Sequence, residues 1–337
     1  MATQLRPETA VRSESDTRRP IITHLTADNA WLIQIPRSGG DRMFFNVVLD
    51  PWLTENQVQF YGWFHDQAHT EMGAAKSTAD VEDFCSETER LARKFRSDAL
   101  PEPAKPASYI DAVGLSLMGT DHTDEGTLMQ LPASVLIVAH GNDTVKGVNG
   151  WKHFTSVVQA PMFAGDWTET TLDVLPEDIT ISAIQSPYDY SKLHVGIVVT
   201  FKCPGNDQPE CVVYTPHGIR PTDVSALAEA SPPVNVLALL HGCLRVDVGW
   251  RFANFTANMG ARTGLEVTRV LQSKYWIQTH DEAKVEKGLT SWVLTHDWQQ
   301  VDQVAEEYAK ENGEEKAEVL QKANFHDLGN GGSLVLV

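Results

Sequence analysis

Short apolar strands come in two runs, one in each half of this chain, and each run gives way to helical sequence. No other feature constrains the fold as much. In the first half, IITHLTADNAWLIQ (21–34) alternates and reads as two strands about a turn at Asp28-Asn29. MFFNVVLDPWL (43–53) is a strand that ends at Asp50-Pro51, because proline cannot continue a ladder. Residues 79–98 set Val81, Phe84, Leu91 and Phe95 at helical spacing. YIDAVGLSLMG (109–119) and SVLIVAH (134–140) are further strands, then VNGWKHF reads as a helix end and TSVVQAP as a strand. The second half supplies strands at 179–186, 194–202, 211–219, 234–243 and 275–281. Residues 258–274 predict a helix with Leu265, Val267, Val270 and Leu271 inward. A charged surface helix over 301–323 and a strand over 331–337 close the chain. Strand runs followed by helices predict two mixed sheets packed face to face, with helices outside.

The 337 residues, 42% of them hydrophobic, suffice for one large core or two modest ones. One domain is expected over 21–337, after a polar, disordered tail over 1–20. Lys and Arg number 27 against 45 Asp and Glu, a net charge of −18. That charge repels phosphate backbones and anionic membrane surfaces, so neither nucleic acid nor membrane is an expected partner. No apolar run approaches the ~20 residues that span a bilayer. The first twenty residues lack a signal's apolar segment, and a cytoplasmic location is expected. Cys85, Cys203, Cys211 and Cys243 are widely spaced, without a CxxC pair, so neither a disulfide framework nor a zinc knuckle is expected. GxGxxG, Walker A and GxSxG are absent, and HGN (140–142) is no phosphate loop.

Chemistry in such architectures sits where strands end, because the sheet is rigid and the loops beyond it vary. Those ends carry Asp121-His122, Ser186-Pro187-Tyr188, His217, His241 and His280-Asp281. Imidazole and carboxylate are the natural ligands of zinc or iron. A lone histidine at a strand end is more often a hydrogen-bonded structural residue than a ligand, and Asp121-His122 also fits an Asx turn. Aromatic clusters offer a lid at Trp63, Phe64, His65 and His69, and a pocket lining at Trp250, Phe252 and Phe255. Both also fit core packing. Trp292 and Trp298 are expected in the core.

The chain resembles the metallo-β-lactamase fold superfamily, in its UlaG-like hydrolase branch. The resemblance rests on THLTADNAWLIQI…FFNVVLDPWL, on YIDAVGLSLMGTDHTDEGTLMQLPASVLIVA, and on WKHF, VVYTPHGI, LALLHG and KYWIQTHDE in that order. It covers most of residues 20–337 and implies a four-layer αββα sandwich. Where the family has HxHxDH, this chain reads Leu117-Met118-Gly119-Thr120-Asp121-His122. Leu117 and Gly119 replace the first metal's histidines and cannot bind zinc. Ser186-Pro187-Tyr188 stands where a further histidine is expected. For the second metal, the resemblance implies Asp121, His122, His280 and, in place of the bridging acid, His217.

The resemblance therefore implies a reduced site with one metal (zinc, iron or manganese) or none. The expected activity is hydrolysis of a small ester, lactone, thioester or amide. His241 or Tyr188 would donate a proton, and Asp121 would serve in catalysis as well as ligation. The substrate is expected to be apolar or aromatic, and a homo-oligomer is open. A metal-independent isomerase, cyclase or dehydratase of secondary metabolism is the alternative reading, and a non-catalytic binder of a small molecule or protein is the third.

Overall fold

Alternation along the strands sends one side chain into the space between two sheets and the next toward a layer of helices. Val47 and Leu49 enter the inter-sheet core while Val48 turns outward, and Val212 and Tyr214 enter it while Val213 turns outward. The computed structural model describes residues 4–26, 28–53, 56–59, 65–95, 105–250, 253–281, 284–287 and 293–337.

The first sheet has seven strands, in the spatial order Ser333–Val335, Ile21–His24, Trp31–Pro36, Phe44–Leu49, Ala112–Leu115, Leu136–Ala139 and Val157–Gln159. The second has six: Phe325–His326, Tyr275–Ile277, Asn235–His241, Glu210–Thr215, Val195–Phe201 and Ile179–Gln185. Each sheet mixes antiparallel pairs with parallel ones, as expected from the two strand runs. Between them lies the largest apolar cluster, with Trp31, Ile33, Leu49, Ile197, Val199, Leu240 and Ile277. Helix Thr78–Phe95 covers the outer face of the first sheet through Val81, Phe84, Cys85 and Ala92. Helix Gly260–Leu271 covers the second through Val267 and Leu271. The result is helix, sheet, sheet, helix. No helix among the described residues is long and apolar enough to cross a membrane. All four cysteines are buried and unpaired.

Several expectations need correction. Residues 4–20 are not a disordered tail. Pro7–Ala10 is helical, Ala10 and Val11 join the core under helix Thr78–Phe95, and Arg19 grips Glu210 through both its terminal nitrogens at 2.9 and 3.0 Å. Two buried apolar residues and one part-buried ion pair tie the segment down. The expected helix over 301–323 is two, Val301–Asn312 and Lys316–Ala323. Gly313 takes φ 68° and ends the first, the left-handed cap that glycine adopts without a Cβ clash. Val270 and Phe95, placed inward by periodicity, are exposed. Trp298 is 48% exposed, on the outer side of a small sheet formed by Leu244–Trp250, Ala253–Met259 and Leu294–Trp298. Phe255 on the same sheet is exposed too. Residues Trp63, Phe64, Phe252 and Trp292, and the side chains of His65, His69 and Trp250, lie outside the described ones.

Candidate metal centre

Three imidazoles converge at one end of the sandwich. One ring nitrogen from each of His122, His217 and His280 lies within 4.8 Å of the other two, and all three residues are buried. Each reaches this point by a different loop. His122 follows strand Ala112–Leu115 in a tight turn, where His122 N donates to Gly119 O at 3.0 Å and Thr123 Oγ1 to Leu117 O at 2.7 Å. Asp124 then caps helix Glu125–Leu128 by accepting from Gly126 N and Thr127 N. His217 leaves strand Glu210–Thr215 just before Gly218, whose φ of 81° turns the chain back. A Cβ there would lie 2.8 Å from His241 Nε2. His280 sits two residues beyond Gln278 on the loop after Tyr275–Ile277, with φ 57°. A histidine held left-handed costs about 1–3 kcal/mol, so its surroundings must enforce it. His280 N donates to Asp28 O at 2.9 Å, and Trp31 Nε1 anchors Thr279 Oγ1 at 2.8 Å.

The outer nitrogen of every ring is committed. His122 Nδ1 donates to Asp50 Oδ2 at 2.7 Å, His217 Nδ1 to Asn258 Oδ1 at 2.8 Å, and His280 Nδ1 to Asp28 Oδ1 at 2.9 Å. With hydrogen on Nδ1, each neutral ring keeps its lone pair on Nε2. His122 Nε2 and His217 Nε2 stand 3.1 Å apart. Lone pairs facing at that distance repel unless a cation lies between them. Burial, then the His280 and His122 rings, hold the His217 imidazole well below the ordinary histidine value. It is therefore neutral, the state in which imidazole ligates metal.

Asp50 is the hub behind His122. It takes φ 40° at the end of its strand and accepts from Ser116 N, Ser116 Oγ, His122 Nδ1 and, from the opposite sheet, Tyr214 OH at 3.0 Å. Burial and the Asp50 charge push the Tyr214 phenol well above its ordinary value, so it remains a donor. Asp28 is the hub behind His280. Its carbonyl oxygen also faces His24 Nε2 at 3.1 Å, and the His24 ring stacks on Trp31 with centroids 3.9 Å apart. In the sequence, Asp50 and Asp28 stand out only as a strand end and a turn, and Asn258 does not stand out at all. A polar residue within a strand carries no local sign of what it will face.

The remaining candidates divide. Asp121 Oδ2 lies 3.6 Å from His122 Nε2, at the edge of the triad. The backbone carbonyl of Asp121 takes the Asn29 amide. His241 lies beneath, packed against Gly218 and against Gly264 of helix Gly260–Leu271, and is fully buried. Its Nδ1 donates to Gly242 O at 2.9 Å, and burial pushes its pKa down to about 4. It carries no spare proton to donate, against expectation. Tyr188 is 75% exposed, on a loop that Asp189 folds on itself by accepting from Ser191 N and His194 N. No hydrogen bond among the described residues ties Tyr188 to the triad. Asp281 points away from the triad. It accepts from Cys243 N and Leu244 N, and burial raises it to about 7.

A Cβ on Gly119 would stand 2.8 Å from Asp121 Oδ1 and 2.9 Å from Leu117 Cδ1. Leu117 and Asp121 occupy the room a second histidine would need.

The sequence matches no protein-family model, and no curated protein matches it. Solved structures do. A possible metal-dependent hydrolase from Veillonella parvula aligns with a TM-score of 0.55 at 12% identity, over 94% of this chain and 100% of its own. The isothiocyanate hydrolase from Delia radicum gut bacteria aligns at 0.52 and 13%, over 94% and 99%. The metallo-β-lactamase fold protein YhfI from Bacillus subtilis aligns at 0.49 and 13%, over 94% and 99%. The first two carry the comparison, and the likeness is one of fold. This chain is a four-layer αββα sandwich, the fold it shares with those two structures.

Proposed function

We propose that this protein hydrolyses a small organic carbonyl substrate (an ester, lactone, thioester or amide) at a site holding one divalent metal. His122, His217 and His280 would be the ligands, with Asp121 as the carboxylate beside them. One observation carries this reading: three Nε2 lone pairs converge, two of them 3.1 Å apart, while a carboxylate or amide oxygen holds each Nδ1. Such an array offers three nitrogen ligands to one cation. Imidazoles fixed by oxygen acceptors are also the usual supporting arrangement of zinc sites. The donor set fits zinc, iron(II) or manganese(II).

When bound, the ion supplies Lewis acidity for a carbonyl and acidifies water. The chain does the rest. Asp50, Asn258 and Asp28 fix the orientation and tautomer of the three rings. Asp121 Oδ2, on the triad's edge, takes the proton of the attacking water and returns it to the leaving group. Burial of all three rings keeps competing water out and strengthens each of these interactions. The block order of the sequence supports placement in the UlaG-like branch, and four unpaired thiols suit a reducing cytoplasm.

Elemental mass spectrometry of purified protein, before and after chelation, tests the proposal. About one equivalent of metal is expected, and it should vanish in His280→Ala. Wild-type protein that takes up no zinc, iron or manganese under replete conditions would overturn the hydrolase reading. Leu117 and Gly119 standing at histidine positions favour one second reading, a metal-independent isomerase, cyclase or dehydratase, which that outcome would promote.

A further inference from the structure

One strand from the Asp50–His122 pair stands another buried histidine, one of whose nitrogens has no hydrogen-bond partner among the described residues. His140 directly follows strand Leu136–Ala139, which runs parallel to Ala112–Leu115 with Ala139 opposite Leu115. Leu115 and Ala139 both face the helix layer. Their successors Ser116 and His140 therefore turn to the inter-sheet side, on strands about 4.8 Å apart. Ser116 spends its hydroxyl and amide on Asp50, the partner of His122. His140 thus lies one strand from the Asp50–His122 pair, on the side of Leu117.

The His140 ring is 8% exposed. Across the sandwich, Gln185 ends strand Ile179–Gln185 and its side chain hydrogen-bonds the ring; burial outweighs that contact and lowers the His140 pKa, so the ring is neutral. Nδ1 has no hydrogen-bond partner among the described residues. With Gln185 accepting from Nε2–H, Nδ1 presents a lone pair. A buried acceptor left unpaired costs about 1–3 kcal/mol, a cost that a ligand's donor would remove. Folding alone gives no reason to keep an imidazole here, since a leucine would fill the space without an orphan atom.

We propose that His140 is a substrate-binding residue whose Nδ1 accepts a hydrogen bond from the substrate, one strand from the Asp50–His122 pair. This rests on the hydrolase reading and narrows it. The substrate carries an N–H or O–H donor next to its carbonyl, as a secondary amide or a hydroxy-acid derivative does and a simple ester does not.

The test uses cobalt(II)-loaded protein and two probes, acetohydroxamate, which offers an N–H, and acetate, which offers no donor when ionised. The visible d–d spectrum reports the binding of each. His140→Leu should weaken acetohydroxamate about tenfold and leave acetate and cobalt affinity unchanged. Gln185→Leu breaks the contact across the sheets but keeps Nδ1, so it should lower the melting temperature and weaken acetohydroxamate less. Equal acetohydroxamate affinity in wild type and His140→Leu, with cobalt bound in both, overturns this inference and spares the hydrolase reading. Failure of wild type to bind cobalt overturns both.

Discussion

His122 Nε2 and His217 Nε2 face each other at 3.1 Å, while Asp50 and Asn258 hold the opposite nitrogen of each ring. The hydrogens sit on the far side of each ring, on the bonds to Asp50 and Asn258. Much of the behaviour of this protein comes from that inversion, because what binds between the rings relieves a repulsion built into the fold.

Weakening a ring's support should weaken metal binding without removing a ligand. Asp28→Asn keeps the size of the residue but withdraws the charge that fixes His280 Nδ1, 2.9 Å away. Metal affinity should fall by about 10- to 100-fold, while His280→Ala abolishes it. Competition titration against a chromophoric chelator measures both. Equal affinities in Asp28→Asn and wild type would contradict the geometry.

A histidine placed at position 119 should not create a second metal site. In Gly119→His the new Cβ falls 2.8 Å from Asp121 Oδ1 and 2.9 Å from Leu117 Cδ1. The Asp121 and Leu117 side chains must then give way, and overpacking of this kind costs about 1–3 kcal/mol. Metal stoichiometry should stay at or below the wild-type value and the melting temperature should drop. A rise to two equivalents would refute this.

Acid should destabilise the fold through His241. Its folded value, about 4, lies below the ordinary 6.5, so the unfolded chain takes up the proton first as pH falls. The neutral ring's contribution is complete above pH 6.5 and lost as pH falls toward about 4, amounting to about 3 kcal/mol. His241→Leu should flatten that part of the curve. Urea midpoints at several pH values, for wild type and variant, compare the slopes.

The segment before the first strand should matter to stability. Arg19 donates to Glu210 and, through Nε, to Leu336 O at 2.8 Å. Arg19→Ala strands a buried carboxylate and should cost about 3 kcal/mol, whereas Glu210→Gln should cost less. Chemical denaturation gives the difference. A loss within error of zero would mean the segment is only loosely attached.

Much of the sandwich was legible because its strands alternate or run apolar, and Val47, Leu49, Val212 and Tyr214 landed in the core their spacing implies. The same reasoning placed Val270 inward wrongly, since periodicity names a face but not where that face runs out of partners. Gly313 lies in plain view within KENGEEK, yet a charged run hides a helix stop when no apolar stripe breaks with it. At the site, His122, His217 and His280 stand at strand ends, and the fold resemblance joins them. His241 stands at a strand end too, and only the packing of Gly218 and Gly264 against it shows that it is walled off. Asn258 could not be read at all, because its meaning comes from His217, forty-one residues away.

Tyr214 reaches from the second sheet to Asp50 on the first, and Asp50 holds His122. The two leaves of the sandwich are thus latched at the spot where the ion would sit. Prying them apart at this end strips a ligand of its anchor, and loading the ion locks the latch. Amides of strands Phe44–Leu49 and Glu210–Thr215, far apart in the chain, should therefore slow their hydrogen exchange together on metal addition, as though one hinge had been pinned.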